Sequence, residues 1–383
     1  MRVLMLSKAL VVGAYQKKLE EMARRPGIEL TVVVPPYWRE GHHRLGLQRL
    51  YTSGYDLLET TMALNGHYHL HFYPHLPSIV RKVRPDIFHI DEEPYNHVTL
   101  QAMALGRSVR ARCLFFTWQN IFHPQPWNLV ERYNLSHADA AIAGNSEAAD
   151  VLRRKGFAQP IAIIPQFGVD PAVYRPIEKV RQRRQDLLPF AVSGRTFVIG
   201  YVGRLVEQKG LLTLLHAVAA LEGEWQLLLI GNGELRPDIE RLAARLDCSS
   251  RLHIIDAVPS HHIPDWLNVI DCLVLPSLTR RNWKEQFGRV LIEAMACQVP
   301  VVGSDSGEIP NVIADTGLIA QEGNVEQLRQ HIARLMTDRE LARRLGEMGR
   351  QRVLAYYTQA RVAEATCHFY DEILGLQPAH GGA

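Results

Sequence analysis

Short runs of consecutive apolar residues alternate with longer stretches in which apolar positions recur every three or four residues. Residues 3–6 form one such run, followed by a loop with Gly13 and a helical stretch over 16–24. A second run, 30–34, ends at Pro35 and Pro36, and a third, 87–90, follows a helical stretch over 76–84 and the breaker Pro85. Runs at 113–117 and 140–143 continue the series. A strand that is apolar at every position must be covered on both faces, so the alternation predicts a parallel sheet between helical layers.

The pattern stops over 176–195, where Pro176, Pro189 and the cluster Arg181, Arg183 and Arg184 interrupt any core. It resumes with strands at 197–202, 226–230, 252–255, 272–275 and 299–302, and helices at 211–221 and 237–246. The fold class expected is therefore α/β, with two Rossmann-like doubly wound domains, 1–175 and 196–355, joined by a linker at 176–195. A final helical stretch, 356–374, exceeds what the second domain needs and is expected to pack back on the first. The tail 375–383 is expected to lack structure.

The chain has 383 residues, enough for two cores, and its 47% hydrophobic and 22% charged content is that of a globular protein. The net charge of +3 is too small to argue for nucleic acid. The surplus is uneven, with about 20 Lys and Arg against about 15 Asp and Glu before residue 176, so the first half leans toward an anionic surface or substrate. Cys113, Cys248, Cys272, Cys297 and Cys367 have neither disulfide-framework nor metal-ligand spacing, which fits a reducing cytoplasm. Ser7 and Lys8 break the opening apolar run before a signal core forms, and no run is long enough to span a bilayer. Any membrane contact is expected to be peripheral, at an anionic inner surface.

The chemistry concentrates in the second domain. Glu285 and Glu293 flank the start of a helix near Gly288, whose free amides and dipole favour an anion. Hydroxyl-binding carboxylates on either side of a phosphate site describe a nucleotide sugar. The mundane alternative makes Glu285 a capping charge and Glu293 a solvated helix residue. Upstream, the loop 203–210 follows a strand and carries Arg204 and Lys209 beside a glycine turn, a pair suited to a diphosphate and to the charge that grows on it as it leaves.

Taken in order, Gly203-Arg204-Leu205 with Lys209-Gly210, the Gly231-Asn232-Gly233 turn, 271–277, 285–296, Pro300 with Val301 and Val302, and Ser306-Gly307-Glu308-Ile309-Pro310 resemble the retaining glycosyltransferases of family 4. That family has the two-domain GT-B fold, its domains facing a central cleft. The resemblance implies that Arg204 and Lys209 hold the donor diphosphate, with Glu285 on hydroxyls of the transferred sugar. It places Phe287, Gly288 and Val290 around the donor and Glu293 on the ribose. It also sets the Val258 and Pro259 backbone near the base, and Gly13 close to the phosphates. It makes 196–355 the donor domain and 1–175 the acceptor domain. The reaction implied is transfer from a UDP- or GDP-linked sugar to a glycan or lipid-linked glycan, in polysaccharide or glycolipid synthesis, with no cofactor or metal.

The chain also departs from the family. Gly13 lacks a glycine neighbour, and Trp118-Gln119-Asn120 stands where relatives often carry a His-Asp pair. Gln119 and Asn120 can hydrogen-bond a sugar but cannot transfer a proton at neutral pH. Front-face attack, in which the leaving phosphate takes the acceptor proton, needs no such base. Arg289 is expected to pair with an acidic neighbour or a negative substrate. Glu92 and Glu93, after the 87–90 run, either order the acceptor or take its proton, or else cap the next helix and face water. His67, His69 and His71 alternate as on one strand face but lack a carboxylate at ligand spacing. Trp38, Arg39, His42, His43 and Arg44 read as a basic, aromatic surface loop on the acceptor side. An epimerase or phosphorylase on the same scaffold, and a nonenzymatic sugar-nucleotide-binding protein, are the competing readings. A dinucleotide-dependent oxidoreductase is disfavoured, since neither domain opens with a Gly-x-Gly-x-x-Gly turn.

Overall fold

The computed structural model describes residues 1–41, 43–122, 129–182 and 184–376. His42 and Arg183, and residues 377–383 of the tail, lie outside them. The chain forms two compact units, one of residues 1–168 with the segment from Gln359 onward, the other Val169–Thr358.

The first unit is built on seven parallel strands, in the order Asp56–Glu59, Glu29–Val34, Arg2–Leu6, Ile87–Ile90, Arg112–Thr117, Ala140–Ala143 and Ile161–Ile163. Successive side chains of a strand face opposite ways. Leu4, Leu6, Val33, Phe88, Ile90 and Phe115 therefore fill one core, and Val3, Met5, Val32, Ile87, Leu114 and Phe116 the other. Both faces are covered, which explains the unbroken apolar runs. The second core is completed by Val362, Cys367, Phe369 and Tyr370 from helix Gln359–Leu374, which packs on helix Lys17–Ala23. An ion pair between Arg25 and Asp371 and a 2.6 Å bond between the Tyr370 hydroxyl and His89 Nδ1 fasten it.

The second unit has six parallel strands, in the order Leu252–Ile255, Trp225–Ile230, Phe197–Val202, Cys272–Leu275, Val301–Ser304 and Leu318–Ala320. In each sheet the strand order reverses beside the first strand of the unit. Loops leaving the carboxyl ends of the two strands at that reversal emerge next to each other, which is where open α/β sheets place ligands.

Several details differ from expectation. The last helical stretch is broken: one helix, Arg339–Tyr356, ends in the second unit, and Gln359–Leu374 starts afresh in the first. The run at 299–302 enters its sheet two residues later, at Val301. Residues 176–195 carry two short helices, Glu178–Gln182 and Arg184–Leu187, and Arg184 bonds Asp271 at 3.0 Å. The segment with Trp38 is an antiparallel hairpin, Tyr37–Glu40 with His43–Gly46, in place of an irregular loop. His67 to His71 is a turn rather than a strand, because the amides of Leu70 and His71 both bond the His67 carbonyl. Among the described residues no group of three or more His, Cys, Asp or Glu is arranged to hold a metal ion, and all five cysteines are buried free thiols. No described helix is long and apolar enough to cross a membrane.

Candidate functional site

In the second unit the reversal lies between Phe197–Val202 and Cys272–Leu275, so the loops after Val202 and Leu275 run side by side. The Leu278 amide bonds the Gln208 carbonyl at 2.8 Å. Gly210 has φ +68°, and a Cβ there would lie 1.9 Å from the Pro276 carbonyl oxygen. Only glycine permits both the left-handed turn and that approach. The zipped loops bring Lys209 Nζ to 2.5 Å from Glu285 Oε2, and Ser277 Oγ donates to the same oxygen at 2.6 Å. Lys209 also lies 5.0 Å from the Trp283 ring centre. From the other side Gly307, at φ +54°, lets its segment press on the Glu285 carbonyl, where a Cβ would sit 2.0 Å away. Glu285 is 6% exposed, a buried carboxylate in a built setting and not a loose capping charge.

Gly288, in the left-handed region, is the N-cap of helix Arg289–Ala296 and, as a glycine, offers its first amides no side-chain cap. Phe287 beside it is buried and meets Tyr357 edge-on at 5.7 Å. Val290 is half-buried. One turn on, Glu293 is 5% exposed and receives Arg289 Nε at 2.8 Å, so Arg289 takes the acidic neighbour of its two expected partners. Burial first, and then the Glu293 charge, push the Tyr174 phenol well above its ordinary range. A cavity of about 320 Å³ is lined by Gly203, Arg204, Gly231, Asn232, Val258 and Ile263. Arg204 is exposed, and among the described residues no hydrogen bond or ion pair ties its guanidinium. Arg204 and Val258 thus share one cavity wall, and Lys209 and Glu285 form one pair.

In the first unit the reversal lies between Arg2–Leu6 and Ile87–Ile90. Ser7 Oγ donates to Asp91 at 2.6 Å, and Lys8 forms an ion pair with Glu92. Burial alone would raise the Glu92 carboxyl, but the Lys8 ammonium and His71, 3.7 Å away, outweigh it and hold the group at about 2. Glu93 differs. It accepts from Thr117 Oγ1 at 2.6 Å and the Trp118 amide at 2.8 Å, yet burial carries it up to about 7. Neither carboxylate caps helix His97–Ser108, whose N-cap position is held by Asn96.

Gln119 Oε1 accepts from Lys155 Nζ at 2.6 Å, and Asn120, 7% exposed, donates to Glu147 at 3.2 Å. Gly13 stands apart. Its amide donates to Gln48 Oε1 at 2.9 Å, and the Leu50 side chain lies over the place a Cβ would take. Gln48, Ser277, Trp283 and Lys155 were not singled out from sequence. Ser277 fell within a quoted motif, while the other three reach their partners only through the folded chain.

Two six- or seven-stranded parallel sheets, each wound on both sides, define the GT-B class of glycosyltransferase folds. Over 97–98% of its length the chain superposes on two solved members at TM-scores of 0.71 and 0.73. These are sucrose-phosphate synthase from Thermosynechococcus elongatus, 20% identical with 99% of that chain covered, and Anabaena HepE in complex with UDP, 18% identical with 100% covered. Such identities speak for the fold alone.

Family membership comes from the sequence matches. The model for glycosyl transferases group 1 matches residues 188–352, and that for the glycosyl transferase 4-like domain matches residues 12–166. The chain belongs to this family 4 type of glycosyltransferase. It is 30% identical over 260 residues to alpha-maltose-1-phosphate synthase of Mycolicibacterium smegmatis, covering 64% of this chain and 66% of that protein. It is 29% identical over 281 residues to D-inositol 3-phosphate glycosyltransferase of Streptomyces bingchenggensis, covering 67% and 59%. The match thus spans less than two thirds of the length of these curated relatives.

Proposed function

We propose that the protein is a retaining glycosyltransferase that moves a sugar from a UDP- or GDP-linked donor to a glycan or lipid-linked glycan, without a metal ion or other cofactor. The observation that carries this reading is the buried Glu285 carboxylate held by Lys209 at 2.5 Å, on loops that also bear the Arg204 guanidinium, which is unpaired among the described residues. In this reading Lys209 and Arg204 take the diphosphate. Glu285 accepts hydrogen bonds from sugar hydroxyls, and the amides around Phe287, Gly288 and Val290 face the donor. Glu293 holds the ribose, and the Val258 backbone borders the base. The bond from the anomeric carbon to the phosphate oxygen breaks, and one from that carbon to the acceptor oxygen forms. The acceptor proton passes to the departing diphosphate, whose growing charge the two cations stabilise.

A fold neighbour was solved with UDP-glucose, which supports a nucleotide-sugar donor. Relatives named alpha-maltose-1-phosphate synthase and D-inositol 3-phosphate glycosyltransferase support transfer over binding alone. We place the activity in the cytoplasm, with contact at an anionic membrane surface where the acceptor is lipid-linked; co-sedimentation with phosphatidylserine vesicles checks that contact, and its absence in low salt contradicts it. The test of the reaction is a thermal-shift screen of UDP, GDP and their sugars, followed by mass spectrometry of products from the best donor. A stabilising nucleotide sugar and a product heavier by one sugar residue are expected. Stabilisation without either donor hydrolysis or transfer points to a binding protein instead.

A further inference from the structure

The carboxyl edge of the first unit's sheet holds a charged pair that the reading above leaves without a task. Lys155, the C-cap residue of helix Ser146–Arg154, has a side chain only 10% exposed. Its ammonium donates to Gln119 Oε1 at 2.6 Å and to Glu131 Oε1 at 2.5 Å. An ammonium can only donate, so the end of the Gln119 amide that faces it is the oxygen. The Gln119 nitrogen therefore points the other way with two N–H donors. The side chain is partly exposed, and among the described residues nothing takes those donors.

The backbone beneath is fixed with equal care. Gln119 follows strand Arg112–Thr117, and its amide donates to Thr117 Oγ1 at 3.0 Å. The Thr117 hydroxyl and the Trp118 amide in turn both donate to Glu93. A glutamine carboxamide left to itself turns over readily, offering an oxygen as often as a nitrogen. A charge-assisted bond, roughly twice as strong as a neutral one, removes that choice. Residues at the carboxyl ends of parallel strands face the ligand side of such sheets.

We propose that Gln119 donates an amide N–H to a hydroxyl oxygen of a bound sugar, with Lys155 as the positioning residue that sets the amide's orientation and Glu131 as the anchor of Lys155. That the ligand is a sugar rests on the transferase reading. The sugar belongs either to the donor or to the acceptor, and the two sources separate experimentally.

The test compares Q119E, K155M and K155R with the wild type in calorimetric titrations of UDP and UDP-glucose, or of GDP and GDP-mannose if that pair binds more tightly. Q119E keeps a partner for Lys155 but replaces both donors by acceptors, and K155M frees the amide to turn. If the sugar is the donor's, the affinity gained from the sugar over the bare nucleotide falls about five- to tenfold in Q119E and K155M. K155R restores it, and affinity for the bare nucleotide does not move. If the sugar is the acceptor's, that gain is unchanged, while acceptor KM rises by a similar factor. Q119E and K155M matching the wild type in both measurements overturns the proposal. So does a K155M loss that K155R fails to repair and that tracks a fall in unfolding temperature, which assigns Lys155 to the fold alone. A wild type that binds the nucleotide sugar but forms no product contradicts the transferase reading, and the affinity ratio still decides this one.

Discussion

Lys209 Nζ lies 2.5 Å from Glu285 Oε2, an ion pair that joins the two loops at the strand reversal of the second unit. The pair is what the topology produces, since 76 residues separate its members and only the adjacency of strands Phe197–Val202 and Cys272–Leu275 brings them together. Both residues are assigned to the donor, one to its phosphates and one to its sugar. Without a ligand each neutralises the other, so neither is left as an uncompensated charge in a partly buried site. In the proposed reading a bound diphosphate would give the ammonium a second anion, and a bound sugar would give the carboxylate new donors.

Glu285→Gln tests the carboxylate without emptying its place. The amide can still accept from Ser277 but loses the ion pair with Lys209. Turnover is expected to fall by about a hundredfold or more, with circular dichroism and unfolding temperature close to wild type. Full turnover in this variant sinks the assignment of Glu285 to the donor sugar.

Glu293→Ala separates binding from chemistry. Its carboxylate lies one turn into the helix, paired with Arg289 at 2.8 Å, and is assigned to ribose hydroxyls. The expected result is a nucleotide Kd raised about tenfold with kcat at saturating donor moved much less. A Kd for UDP or GDP equal to that of the wild type, measured by calorimetry, speaks against a ribose contact.

Glu93 gives the fold a dependence on pH. Burial raises its carboxyl to about 7 from the ordinary 4.5 of a glutamate in water, so between those values the folded chain holds a proton that the unfolded chain has lost. Its contribution to stability is complete below about 4.5 and declines as pH rises through about 7. Glu92, held at about 2 against 4.5, has the opposite sign and matters only in acid, where its contribution is lost as pH falls toward 2. Melting temperatures taken from pH 5 to 8 are expected to show a decline in the wild type that Glu93→Gln flattens. An identical decline in that variant rules Glu93 out as its source.

Gly210→Ala is expected to do more damage than its size suggests. The new methyl would need to share space with the Pro276 carbonyl oxygen 1.9 Å away, at a backbone φ of +68°. Overpacking and left-handed strain together cost about 2–3 kcal/mol, and the loop carrying Lys209 shifts. A lowered unfolding temperature with lost turnover is the expected outcome, and an unaltered melt shows that the loop yields freely.

Much of this was legible in the chain itself. The strands show as unbroken apolar runs because both faces of each sheet are covered, and Glu285 and Glu293 stand out because a helix start at Gly288 fixes their spacing. Arg289 at i,i+4 from Glu293 is a local pairing that spacing alone can suggest. The partners of Lys209, Glu93 and Gln119 are not local, and they emerge only once strands from distant segments lie side by side. The histidines at 67, 69 and 71 mimic a strand because alternation is the same in a sequence whether or not backbone bonds close it into a turn. The Val301 strand begins late because Val299 and Pro300 are apolar yet lie outside the ladder, whose pairing with Leu273 starts at Val301. The resemblance sets Gly13 close to the phosphates, and nothing in the local sequence announces that Gln48, 35 residues on, takes its amide.

In the proposed reaction Lys209 stabilises a departing nucleoside diphosphate. The most direct measurement is the rate of nucleoside diphosphate release from the best nucleotide sugar, compared between wild type and Lys209→Ala under saturating donor. Release in the wild type and a rate lower by about a hundredfold or more in a variant that melts normally is the result predicted. Equal rates in the two proteins contradict it.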